Sequence, residues 1–298
     1  MCYSAETIAD PQGYLDLGIP ADIDIDTINM LIATRAEGAK ITVPRGFDLW
    51  ALRQGGQLSD AVSSWRGDEL ARWQATLKAS KERLEKAMQR TTKTAINDRG
   101  IAERKIKQAR RKIEGLESTD PQPADNRVFP GVFTPLLVND AGRHVVRLMR
   151  YQCRPARAPA NYDRRFPGTY NARRDNLDAF WREQYLHTHG LLLATTFYEN
   201  VERDGANQVL KFTPRTGERM LIACLWSHWQ QGNEWLDSFA AITDEPEPEV
   251  AAAGHDRTVI NLRRANVASW LDVHDDETAQ SILDDKQHPF YDHEALAA

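Results

Sequence analysis

GLLLATTFYENVERDGANQVLKFTPRTGERMLIACLWSHWQQGNEWLDSFAAIT, residues 190–243, is the stretch from which the architecture is read. Turn residues punctuate it at even intervals: Asp204-Gly205, Thr216-Gly217 and Gln231-Gly232-Asn233. Between them lie four runs of strand composition, Leu191–Glu199, Val209–Thr213, Arg219–Trp226 and Trp235–Thr243. Short loops carrying Asp-Gly or Gly-Asn join neighbouring antiparallel strands. Leu191–Ala194 and Leu221–Leu225 are continuously apolar rather than alternating, which suits strands covered on both faces. The spacing predicts an antiparallel meander curled into a sheet or barrel.

Working outward, Val132–Val138 and His144–Tyr151 read as two more strands, joined by the turn signal Asn139-Asp140-Ala141-Gly142. Residues 154–169 are rich in Pro and Arg and read as an exposed loop, and Asn176–His187 as a short helix. Beyond the meander, Val259–Leu262 adds a strand and Ala265–Leu271 starts a helix. Near the start, Leu31-Ile32-Ala33 and Ala39–Val43 read as short helix and strand pieces, Pro44-Arg45-Gly46 as a turn, and Gln54-Gly55-Gly56 as a linker.

Residues 57–118 have a different period. Leu70, Trp73, Leu77, Leu84 and Met88 recur at helical steps, as do Ala102, Ile106, Ala109, Ile113 and Leu116. Both stripes fit a coiled-coil seam, and the poor helix formers of Thr91–Gly100 allow a turn between them. The expected fold class is therefore α+β. A curled antiparallel sheet or barrel with flanking helices is formed by residues 1–56 and 119–298, and an antiparallel helical hairpin is inserted at 57–118.

Composition excludes more than it selects. The 298 residues are 41% hydrophobic and 27% charged, as in an ordinary globular chain. The start lacks a basic segment followed by an apolar run, and no 18-residue apolar window occurs, so neither secretion nor a membrane is expected. Cys2, Cys153 and Cys224 lack metal-ligand spacing and fit a reducing, cytoplasmic setting. No phosphate-binding glycine loop and no Gly-x-Ser-x-Gly elbow is present, and no cofactor is implied. The net charge of −5 hides an asymmetry: residues 65–117 hold 15 Lys/Arg against 8 Asp/Glu. Arg104, Lys105, Lys107, Arg110, Arg111 and Lys112 form the densest cluster there, a candidate set of accessory phosphate contacts or simply a solvated face.

Three short polar sets could carry chemistry. Asn171-Ala172-Arg173 offers an amide and a guanidinium that can fork onto a phosphate. Phe197-Tyr198-Glu199 ends an apolar strand in a carboxylate, and a partly buried Glu is suited to acid–base work. His255-Asp256-Arg257 places a proton shuttle before a strand. Taken singly, these are equally a surface loop, a strand end and a structural hydrogen-bonder. A fourth feature is Met1-Cys2. With Met1 removed, residue 2 presents an α-amine (pKa about 7.7) and a thiol (about 8.5) on adjacent carbons. That pair condenses with an aldehyde to an imine and then closes a thiazolidine, which no internal cysteine can do.

Met-Cys at the start, Asn-Ala-Arg-x-acidic at 171–175, Phe-Tyr-Glu at 197–199 and His-Asp-Arg at 255–257 together, in that order, resemble the SRAP family. These are SOS-response-associated peptidase-like proteins that sense abasic sites in single-stranded DNA. Leu225-Trp226 is similar to the family's Gly-Leu-Trp strand, and the likeness runs over roughly residues 1–10 and 128–272, outside the helical hairpin. It implies autoproteolytic loss of Met1 and capture of abasic single-stranded DNA as a thiazolidine DNA–protein crosslink. Cys2 would be the nucleophile, Asn171 would position its amine and Arg173 would hold a phosphate. Glu199 would assist imine formation and reversal, and His255 would handle protons on the opened sugar. Tyr151 would stack on a base where the family carries Trp-Gly. The chain departs from the family at Tyr3-Ser4 (usually Gly-Arg), Asp175 (Glu), Thr196 (Gly), Asn200 (Trp) and Thr258-Val259 (Met-Pro). The implied setting is the cytoplasm, at the nucleoid if the source is bacterial or phage. Two other readings stay open: a cysteine-dependent (auto)peptidase of the same fold, and a non-catalytic protein that binds nucleic acid or a partner through its basic hairpin.

Overall fold

The computed structural model describes residues 3–120, 122–203 and 205–296. Among these residues the strands are β1 (Ser4–Thr7), β2 (Asp22–Ile23), β3 (Arg127–Val128), β4 (Phe133–Asp140), β5 (Arg143–Tyr151), β6 (Asn171–Arg173), β7 (His189–Arg203), β8 (Ala206–Pro214), β9 (Met220–Gln231), β10 (Glu234–Asp244), β11 (Thr258–Val259) and β12 (Tyr291–Ala295). The helices are α1 (Gln12–Leu15), α2 (Ile25–Ala36), α3 (Arg45–Gln54), α4 (Gly56–Met88), α5 (Lys93–Glu117), α6 (Tyr162–Arg165), α7 (Arg182–His187), α8 (Pro248–Ala252), α9 (Val267–Asp272) and α10 (Asp276–Asp284). None of the described helices is long and apolar enough to cross a membrane.

The meander expected from residues 190–243 is β7–β8 and β9–β10. Gly205, Gly217 and Gly232 stand in its turns at φ of +74°, +69° and +61°, a region that glycine enters without steric cost. β7 also pairs with β9, and β10 with β9, both antiparallel. β4 and β5 form a hairpin, β4 joins β7, and β5 joins β10 through the parallel pairs Ser238↔Arg150 and Phe239↔Tyr151. Five strands, β4, β5, β10, β9 and β7, therefore close on themselves as a barrel, and the chain is α+β. Covering on both faces is direct. Leu191, Leu193, Leu221, Ala223 and Leu225 enter one buried cluster with Trp181, Tyr185, Trp270 and Leu271. Their alternates Leu192, Ala194, Ile222, Cys224 and Trp226 enter another with Phe197, Phe212 and Phe239. A strand's side chains change face at every residue, so an unbroken apolar run requires two cores.

Four expectations for the outer segments are corrected. Residues 39–43 form no strand. Arg45-Gly46 opens α3 instead of making a turn, since Pro44 serves best just ahead of a helix. The strand expected at Val259–Leu262 is confined to Thr258–Val259, and the helix expected from Asn176 starts only at Arg182.

The described chain divides into two units. One comprises Met1–Met30, Ile41–Trp50 and Gln122–Ala298 and holds every strand described here; the other comprises Leu31–Lys40 and Ala51–Pro121. The second is built on the α4–α5 hairpin. Ala95, Ala102 and Ala109, seven residues apart, are buried in its seam, where small side chains let the two backbones approach. Thr92 caps α5 by accepting from the Ala95 N–H at 3.2 Å. Arg99 closes the end of α4, donating to the carbonyls of Ala87 (3.1 Å), Met88 (3.3 Å) and Arg90 (2.6 Å). Met88 itself is 62% exposed and leaves the seam to Ala87, one position away.

Candidate functional site

Glu199 sits in β7 one residue past Tyr198, where β1 runs antiparallel to it with Ser4 opposite Tyr198 and Ala5 opposite Phe197. The Tyr3 N–H donates to the Tyr198 carbonyl at 3.2 Å, so the first described residue lies at this strand position. The Glu199 side chain is fully buried. Burial pushes its carboxyl up to about 8, with the Tyr3 backbone N–H pulling the other way.

His255 follows α8, its N–H donating to the Val250 carbonyl at 3.1 Å. Its Nε2 lies 3.3 Å from Glu199 Oε2, and its Nδ1 lies 2.9 Å from the Arg257 carbonyl. The Arg257 backbone N–H also lies 3.3 Å from Nδ1, so this nitrogen faces the Arg257 backbone while Nε2 faces Glu199. Burial pushes the imidazole down, against the Arg257 carbonyl, and keeps it neutral near pH 7. A neutral ring and a carboxyl protonated below about 8 place one exchangeable proton at the Glu199–His255 contact. The arrangement can give that proton to a leaving oxygen and take it back.

Asn171 opens β6 and pairs in parallel with Ala241 of β10. It is buried, and neither atom of its amide has a hydrogen-bond partner among the described residues. A buried unpaired amide costs about 1–3 kcal/mol, the kind of cost that native proteins carry at working sites. Arg173, two residues on, is exposed and donates from Nε to Asp175 Oδ1 at 3.0 Å. Asp175 Oδ2 also receives Arg257 Nη2 at 3.3 Å.

Contacts thus join the three polar sets: Arg257 to Asp175 ties 255–257 to 171–175, and His255 to Glu199 ties 255–257 to the β7 strand. Asn171 enters through the backbone pairing of its strand alone. Around Tyr3 stand residues that the sequence did not single out. Arg127 donates from Nε to Ser4 Oγ at 3.0 Å and lies over the Tyr198 ring at 3.6 Å, while Phe129 meets Tyr3 edge-on at 5.6 Å. The Tyr198 hydroxyl donates to the Glu6 carboxylate. No local pattern could have found these residues, since β1 is four residues long and its partners are about 120 to 190 positions away.

Other candidates are placed differently. Met1 and Cys2 lie outside the described residues. Tyr151 is corrected: it is 3% exposed, stacked on Phe239 at 5.3 Å and met edge-on by Tyr170 at 5.9 Å, so it offers no face to a base. Arg104, Lys105, Lys107, Arg110, Arg111 and Lys112 are all exposed on α5, in the second unit. Cys153 and Cys224 are buried, and burial pushes the Cys153 thiol up to about 12, far from thiolate chemistry. No group of three or more His, Cys, Asp or Glu side chains among the described residues could hold a metal ion.

Comparison with known proteins adds the family. A family model described as SOS response associated peptidase (SRAP) matches residues 72–296, a span that starts within α4 and does not include residue 2. A solved protein from Bacteroides thetaiotaomicron superposes with a TM-score of 0.50 at 13% identity, covering 58% of this chain and 78% of that one, a likeness of fold alone. Two proteins from Bordetella bronchiseptica also align. One has a TM-score of 0.48 at 20% identity over 58% of this chain and 88% of its own. The other, phage-related, has 0.46 at 17% over 58% and 82%. No curated protein matches. With three-quarters of its length matched by that model, the chain belongs to the SRAP family, SOS response associated peptidases, and shares at that level their association with DNA damage.

Proposed function

We propose that this chain binds single-stranded DNA and captures abasic sites through Cys2, once Met1 has been removed, as a thiazolidine crosslink. The observation that carries the reading is the 3.3 Å pairing of His255 with Glu199 at the strand position where Tyr3 is hydrogen-bonded.

The α-amine adds to the aldehyde carbon of the opened sugar, giving a carbinolamine. Expelling its hydroxyl as water needs a proton, and Glu199, neutral below about pH 8, is the acid. The thiol sulfur then adds to the iminium carbon. Its proton returns to Glu199 by way of His255, so one aldehyde and one aminothiol become one thiazolidine and one water. Asn171 holds the amine with its unused amide, and Arg173 exchanges Asp175 for a backbone phosphate. The same Glu199–His255 pair serves the hydrolysis that removes Met1.

An abasic single-stranded oligonucleotide tests this. Protein whose intact mass lacks Met1 should form an SDS-resistant adduct that Cys2→Ala abolishes; processed protein that forms none overturns the reading. Met1 loss that needs Glu199 or His255, with no adduct and no cleavage of other chains, would reduce the activity to self-maturation.

A further inference from the structure

Residues 154–169 take no part in that chemistry, yet they concentrate charge. They hold Arg154, Arg157, Arg164 and Arg165 against a single carboxylate, Asp163, in a chain of net charge −5. Asp163 is engaged by Arg150 Nη1 of β5 at 2.9 Å and by Arg154 Nη2 at 2.5 Å. Burial pushes its carboxyl up, but the hydrogen bonds from the two arginines outweigh this and hold it below the usual range. Arg154 also lies over the Trp229 ring at 4.4 Å, and Trp229 Nε1 donates to the Ala158 carbonyl at 2.6 Å. The Gln152 amide donates to the carbonyls of Asp163 and Pro167, each at 3.3 Å. The loop is pinned to the barrel from within.

Its outward side carries Arg157, Arg164 and Arg165, all exposed and in no ion pair among the described residues. Directly after Arg165 stands Phe166, 47% exposed. The Tyr162 ring lies 4.7 Å from it at 37°, and the Arg165 guanidinium 5.6 Å from its centroid. A lone surface phenylalanine needs no explanation. A ring backed by a second ring, with the Arg165 guanidinium beside it and the exposed Arg164 next along a segment pinned to the barrel, is what an unpaired base and its phosphates require. In a duplex the faces of the bases are already stacked on each other.

We propose, resting on the single-stranded DNA reading above, that Phe166 with Tyr162, Arg164 and Arg165 is the stacking platform for a base flanking the captured site. It takes the role that the buried Tyr151 cannot fill. Phe166 is five residues before Asn171, at most about 18 Å of extended chain.

The test is anisotropy with fluorescent, undamaged oligothymidine and with a strand of equal length that lacks bases, each across a salt series. Phe166→Leu should weaken oligothymidine binding by roughly 5- to 150-fold at unchanged salt slope. It should leave the base-free strand unaffected, and Phe166→Trp should bind like the native chain. Arg164→Gln with Arg165→Gln should lower the slope by about 1.4. If Phe166→Leu binds oligothymidine as the native chain does, or weakens both strands equally, the platform is wrong while the single-stranded DNA reading stands. A native chain that does not bind oligothymidine overturns both.

Discussion

Glu199 and His255 make the proton the central quantity at the residue scale. Glu199→Gln keeps the shape of the carboxyl but cannot release a proton, so the rate of adduct formation should fall by roughly 10²- to 10⁴-fold, read by quenched time courses on denaturing gels. Its effect on stability has a definite sign. The carboxyl titrates near 8 when folded and near 4.5 in its ordinary state. Between these values the unfolded chain has lost a proton that the folded chain keeps, so stability falls as pH rises from about 5 to 8 and levels off above. Thermal melts should therefore show Glu199→Gln gaining on the native chain at pH 8 and matching it near pH 4.5. Equal differences at both pH values would mean that the carboxyl is not held protonated. Asn171 gives the complementary case. Because its buried amide has no hydrogen-bond partner among the described residues, Asn171→Ala should leave the melting temperature unchanged or higher while adduct formation drops at least about tenfold. A melting temperature that falls by several degrees would show that the amide is structural. These residue types were legible in sequence because each polar set closes an apolar run. The burial of Tyr151 is not legible there, because nothing in Met149-Arg150-Tyr151 reveals that the strand is covered at that position by Phe239 and Tyr170.

Elements differ in how far their own sequence declares them. The four meander strands and the α4–α5 hairpin are set by periods and turn residues within a few positions, so they can be read locally. β1 cannot be: Ser4-Ala5-Glu6-Thr7 does not alternate, all four residues are buried, and both pairings, to β3 and β7, are long-range. The strand that brings Tyr3 to Glu199 is thus the least legible one. In the hairpin, the buried alanines of α5 leave Arg104, Lys107 and Arg111 on the opposite face, at i, i+3 and i+7. If this face tracks phosphates, reversing all three to Glu should cut the salt slope of single-stranded DNA binding by about 2 and leave the melting temperature in place. An unchanged slope would make it a solvated face, the ordinary fate of charge-rich helices.

At the scale of the whole molecule, the site depends on how the barrel closes. β7 carries Glu199, while β10 borders Asn171 on β6 and meets β11 just beyond His255. Between β4 and β7 closure rests on two residue pairs, Leu137↔Leu191 and Val138↔Gly190. A Cβ at Gly190 would come within 2.9 Å of Leu136 Cδ2 and 3.4 Å of Val138 Cγ1. The leucine methyl can swing aside for alanine, but a branched side chain also presses on Val138. Gly190→Val should therefore cost about 1–3 kcal/mol by overpacking, lowering the melting temperature by several degrees, whereas Gly190→Ala should cost less. The loss of adduct formation in Gly190→Val should follow the folded fraction: small well below its transition and complete above it. Glu199→Gln, which removes chemistry and not architecture, should stay slow at every temperature. Should Gly190→Val be inactive while fully folded by circular dichroism, the β4–β7 closure would shape the site directly, not merely hold the barrel shut.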